Sequence, residues 1–139
     1  MGVLIGARHS HLDNAGYSVD QKKKQLSPEE LAKTLLAEEG WRQILSSLVI
    51  CFFAREIYKP DTVLKTLHLA GFDLAPEDLY RIGEEIHKAK YRFKTREGFS
   101  LDNLRMPKRI FETPSSIGKL DEEFIRVAIE HFKKALFQK

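Results

Sequence analysis

A chain of 139 residues, 42% hydrophobic and 31% charged, can pack one domain and has little room for a second. Its net charge of +3 comes from Lys and Arg interleaved with Asp and Glu, and its one tight basic run, Lys22-Lys23-Lys24, is short; without a cationic stripe, no nucleic-acid partner is expected. A single cysteine excludes an intrachain disulfide, and no run approaches the roughly 20 apolar residues of a membrane span, so a cytoplasmic chain without a membrane partner is expected.

Residues 1–26 carry Gly2, Gly6 and Gly16 among polar residues and read as an irregular arm, with a short strand at Val3 to Ile5. Ser27-Pro28-Glu29-Glu30 then places an N-cap serine, a proline at the first helical position and a glutamate three residues after the cap. The helix it starts has Leu31, Leu35 and Leu36 as its apolar stripe, up to a break or bend at Gly40. A second helix is expected from Trp41 to Arg55; its stretch Ile44 to Ala54 is apolar almost all round, as in a centrally buried helix.

Pro60-Asp61 opens a third helix, stopped near Gly71. Pro76 opens a fourth, from about Glu77 to Thr95, with Leu79, Ile82, Ile86 and Ala89 on one face. A long connection runs from Gly98 to Gly118, of the length that tends to be functional or to wrap a partner. Asp121 caps a last helix to about Phe137, with Phe124, Ala128, either His131 or Phe132, and Leu136 inward. The fold class is therefore all-α: one domain over 1–139, an irregular array of about five helices. It divides into the arm at 1–26, a helical core at 27–97, and the connection with the terminal helix at 98–139.

Three stretches invite chemistry. Arg8-His9-Ser10-His11-Leu12-Asp13-Asn14 offers two imidazoles and a carboxylate at a spacing that loops use for zinc. A metal-dependent hydrolase would need further ligands from loops between strands, and no strand series is visible; side chains satisfying backbone groups in a loop are the plainer reading. Cys51 lies in the most apolar segment, where a lone cysteine is a small buried hydrophobe or, given three further thiolates from elsewhere, a cluster ligand. Arg92-Phe93-Lys94-Thr95-Arg96-Glu97-Gly98-Phe99 alternates basic and aromatic residues; cations at a helix C-terminus with Gly98 as the stop fit it better than a phosphate-contacting surface.

Five segments together resemble one family. Gly6-Ala7-Arg8-His9-Ser10-His11-Leu12-Asp13-Asn14-Ala15-Gly16-Tyr17, Ser46-Ser47-Leu48-Val49-Ile50-Cys51-Phe52-Phe53-Ala54-Arg55, Arg92 to Ser100, Met106-Pro107-Lys108-Arg109-Ile110-Phe111 and Leu120-Asp121-Glu122-Glu123-Phe124 are similar, in order and spacing, to the C-terminal helical region of the tungsten-containing aldehyde ferredoxin oxidoreductases. The resemblance covers about residues 5 to 132. It implies an oxidoreductase ancestry, in which a tungstopterin (or molybdopterin) oxidises an aldehyde to a carboxylic acid and a 4Fe-4S cluster passes electrons to ferredoxin. It also implies that Cys51 stands where the family has its fourth cluster cysteine. Ser46, Val49 and Ile50 would face a pterin, and His9, or His11 two residues on, would lie near the substrate as a catalytic group.

The departures shape the expectation. The family's aspartate five residues before the cysteine is Ser46 here, and the Cys-x-x-Cys-x-x-x-Cys cluster and the pterin-binding part do not occur. The isolated chain is therefore expected to bind no cofactor and to act as a fragment, split subunit or truncated relative, with a separate subunit supplying the missing parts. The alternative is a non-catalytic helical interaction module that kept the fold and lost the redox role.

Overall fold

Ser27 starts the helix around which the other elements arrange. In the computed structural model, which describes residues 1–7, 16, 19, 26–114 and 118–137, the Ser27 hydroxyl accepts from the Glu30 N–H at 3.3 Å while the Glu30 carboxylate accepts from the Ser27 N–H at 2.8 Å. This reciprocal box satisfies two otherwise orphaned donors. After α1 (Gly2–Ile5) in the arm, the helix so capped is α2 (Pro28–Ser47), about 30 Å long.

Two expectations about this helix are corrected. The break at Gly40 does not occur: α2 runs through it, because Gly40 is a contact point and not a stop. The second helix to Arg55 does not form either, since α2 ends at Ser47 and only a 3-10 turn, Phe52–Ala54, follows. Two consecutive β-branched residues, Val49 and Ile50, lower helix propensity there. The apolar stretch thus splits, Ile44 and Leu45 entering the core while Val49 and Phe53 stay exposed.

Prolines open the next two helices as expected: α3 (Pro60–Leu69) and α4 (Pro76–Arg96). The Asp78 carboxylate accepts from the Ala75 N–H at 3.2 Å and so caps α4 from its third position. The buried face of α4 is not the expected Leu79, Ile82, Ile86 and Ala89. It is Leu79, Gly83, His87 and Tyr91, with Ile82 and Ile86 half-buried beside it and Ala89 exposed. Gly83 rotates the face, because α4 crosses α2 there nearly backbone to backbone: a Cβ on Gly83 would lie 2.5 Å from the Gly40 carbonyl oxygen.

The long connection contains α5 (Arg109–Glu112), and α6 (Glu122–Phe137) closes the domain against α2. Asp121 caps α6, its carboxylate accepting from the Glu123 N–H at 2.9 Å. Phe132, not His131, is the inward residue. In the arm, the expected strand at Val3 to Ile5 is the helix α1 instead. Its backbone is satisfied locally, with the Gly6 N–H donating to the Gly2 carbonyl at 2.8 Å. No strand is present among the described residues, and the all-α expectation holds.

Two apolar clusters lie on either side of the Gly40–Gly83 crossing. The larger joins Ile5 and Val19 of the arm, Ala32 and Leu35 of α2, Tyr91 of α4 and Phe132 of α6. The smaller holds Ile44, Leu45, Val63 and Leu79, so α3 leans on few fully buried side chains. At roughly 1.5–3 kcal/mol for each large apolar side chain buried, the α3 end is the less stable half.

Candidate functional site

The C-terminus of α2 ends in a complete Schellman turn. The Val49 N–H donates to the Ser46 carbonyl at 3.1 Å and the Ile50 N–H to the Leu45 carbonyl at 3.0 Å. The helices α3 and α4 end the same way, Phe72 bonding back to Leu67 and Phe99 to Lys94, each at 2.9 Å. The left-handed residue of those two turns is a glycine, Gly71 at φ 91° and Gly98 at φ 92°; at the end of α2 it is Val49, at φ 57°. A β-branched side chain in that region carries strain of about 1–2 kcal/mol.

Cys51 follows two residues later. It was expected in mid-helix; it lies instead in the loop that leaves the turn, exposed, with its carbonyl accepting from the Ala54 N–H at 2.9 Å. The residues around it form an apolar shelf: Val49 is 90% exposed, Phe53 77% and Ile57 69%, with Leu48 and Tyr58 also exposed. Large apolar side chains are thus unusually dense in this one short exposed stretch. Of the three residues expected to face a pterin, Ser46 and Ile50 are half-buried, and Ile50 packs on the smaller core cluster; Val49 alone is fully presented.

His9, His11 and Asp13 lie outside the described residues. The arm on their N-terminal side is fixed to the core, since Ile5 is buried and Lys94 donates to the Gly6 carbonyl at 2.9 Å. Lys94 also sits 3.9 Å from the centre of the Phe99 ring, and desolvation, opposed by Glu39, lowers its pKa. Its helix-end setting was legible in the sequence; its turn inward was not. On α2, Glu39, Arg42 and Gln43 are buried, and Lys90 donates to the Gln43 side-chain oxygen. Sequence reasoning missed this polar layer, although its residues continue the stripe of Ala32 and Leu35 at helical spacing.

Two more buried polar residues were missed. His87 and Tyr91 stack edge to face, ring centroids 5.2 Å apart, and the His87 Nε2 and Tyr91 hydroxyl have no hydrogen-bond partner among the described residues. Burial holds the His87 imidazole neutral, its pKa lowered to about 4, and pushes the Tyr91 phenol well up. Elsewhere His68 is exposed beside Asp73 at 3.6 Å. Among the described residues, no group of three or more His, Cys, Asp or Glu could hold a metal ion.

The family model described as aldehyde ferredoxin oxidoreductase, domains 2 and 3, matches residues 4–138. The chain belongs to that family. No curated protein and no solved structure matches it. As a member of the aldehyde ferredoxin oxidoreductases it matches their domains 2 and 3 over nearly all of its length, in agreement with the family read from the sequence. No helix among the described residues is long and apolar enough to cross a membrane.

Proposed function

We propose that this chain supplies the helical part of a tungstopterin and iron–sulfur aldehyde oxidoreductase, with Cys51 as the fourth ligand of a 4Fe-4S cluster. The observation that carries the reading is the exposure of the Cys51 thiol on an apolar shelf, directly after a strained turn. A thiol that serves only as core packing belongs inside; one that completes a cluster held by another polypeptide belongs on the covered face.

The fit to the cluster is partial. The 139 residues contain one cysteine, against the four thiolates that such a cluster takes. These residues alone do not hold it, and no redox step is assigned to them. The other three thiolates and the pterin contacts would come from a partner bearing the Cys-x-x-Cys part, with ferredoxin as the electron acceptor, in the cytoplasm. In that assembly Val49 would present its side chain to the pterin-bearing partner, with Ser46 and Ile50 behind it. His9 or His11 would hold or move the proton released when water's oxygen is added to an aldehyde.

Co-expression with a polypeptide carrying the pterin-binding and three-cysteine parts tests this. The expected result is a complex containing iron and tungsten or molybdenum, which loses iron but not its partner on Cys51→Ala. A colourless, metal-free complex would favour the second reading, an interaction module that uses the same apolar shelf without the thiol. No complex at all would reject both.

A further inference from the structure

The break between α2 and the turn that follows it is narrow. Helical bonding reaches Leu48, whose N–H donates to the Ile44 carbonyl at 3.0 Å. It resumes at Cys51: the Ala54 N–H donates to the Cys51 carbonyl at 2.9 Å, and the Ile57 and Tyr58 N–H groups donate to the Ala54 carbonyl at 2.9 and 3.3 Å. Only Val49, at φ 57°, and Ile50 stand between the two. We propose that Val49 is the hinge of a two-state switch: its flip to the right-handed region joins α2 to this turn as one helix from Pro28 to about Tyr58.

The sequence permits the straight form. No glycine or proline lies between Gly40 and Pro60, and β-branched residues weaken a helix without forbidding it. In the straight form the N–H groups of Cys51, Phe52 and Phe53 bond to the carbonyls of Ser47, Leu48 and Val49. Each form gives something up, which keeps them close in energy. The bent form holds a β-branched residue in the left-handed region, where α3 and α4 use Gly71 and Gly98. The straight form withdraws Ile50 from the smaller core cluster.

The switch changes what the surface offers. Val49, Phe53 and Ile57 are exposed and spaced four apart, so the straight helix sets them in one row. Cys51 then points at least about 100° away from each of them around the axis. The bent form keeps the thiol and these side chains together in one exposed stretch. A partner that needs both accepts only the bent form, so the straight form competes with docking. That competition depends on the role proposed for the shelf; the switch itself is a property of the chain alone.

Nuclear magnetic relaxation dispersion on the full chain tests the switch. The amides of Val49 to Phe53 should exchange with a minor form of up to about 10%, whose Cα shifts are helical. Val49→Gly relieves the bend and weakens the helix, so it should lower that population about tenfold and flatten the dispersion. Ile50→Ala removes packing that holds the bend and adds helix propensity, and should raise the population about threefold. Flat dispersion in the wild type, or dispersion that Val49→Gly leaves unchanged, would overturn the proposal. So would a folded Ile50→Ala chain with no more helical shifts at residues 50–53 than the wild type. Should Ile50→Ala fail to fold, the wild type and Val49→Gly decide the matter. None of these readings needs a partner, so they stand or fall separately from the cluster-ligand role of Cys51.

Discussion

Gly83 meets Gly40 so closely that α4 and α2 touch through their backbones. A Cβ on Gly83 would stand 2.5 Å from the Gly40 carbonyl oxygen, whereas a Cβ on Gly40 would have no neighbour nearer than 3.7 Å. The two glycines are therefore not equivalent. Gly83→Ala must push the helices apart and should lose roughly 2 kcal/mol, the helix-propensity gain only partly offsetting the overpacking. Gly40→Ala makes ordinary contacts and should be neutral or stabilise by up to about 1 kcal/mol. Urea unfolding midpoints of the two variants check this; equal losses would mean that the crossing is looser than described.

The turn before Cys51 yields a second expectation. Val49 is 90% exposed and sits where α3 and α4 carry glycine. Val49→Gly relieves the left-handed strain and gives up no burial, while costing some unfolded-state entropy; the net should be a stabilisation of roughly 1 kcal/mol. If the valine is kept for a partner's surface, the same variant should bind the pterin-bearing polypeptide more weakly. Thermal unfolding and pull-down on one preparation read both effects.

His87 sets a pH dependence. The folded chain keeps the imidazole neutral down to about pH 4, first through burial and then through Lys90 and Lys94, with Glu84 opposing, while the unfolded chain protonates it near 6.5. In that window the unfolded state binds more protons, so stability falls as pH falls from about 6.5 towards 4, by roughly 3 kcal/mol. A His87→Phe chain should lack this loss. Guanidinium unfolding at a series of pH values measures it.

How much of this could be read beforehand depends on whether the signal was local. Ser27-Pro28, Pro60, Pro76 and Asp121 act through neighbouring backbone groups, and each opened a helix where the sequence placed it. Gly40 was misread because a glycine within a helical pattern looks the same as a stop or as a contact, and only its distant partner Gly83 decides between them. The apolar stretch Ile44 to Ala54 was read as one buried helix, because hydrophobicity alone does not tell burial from exposure; the turn at Val49 splits the stretch and leaves its second half outside the core. Cys51 drew notice as a lone thiol in the most apolar segment and, by resemblance, as a cluster ligand, but the residues alone placed it in mid-helix and not in the loop after it. The buried layer of Glu39, Arg42 and Gln43 on α2 and His87 on α4 was illegible because its burial comes from tertiary packing, in which α2 meets α4 and α6.

The thiol of Cys51 is the only one in the chain, which makes its accessibility a clean readout of its role. Maleimide labelling followed by intact mass measurement should modify it rapidly in the isolated chain, as its exposure requires. After reconstitution with the three-cysteine polypeptide, iron and sulfide, labelling should stop, and should resume when the iron is chelated away. Equal labelling before and after reconstitution, with the complex formed, would contradict a cluster-ligand role for this cysteine.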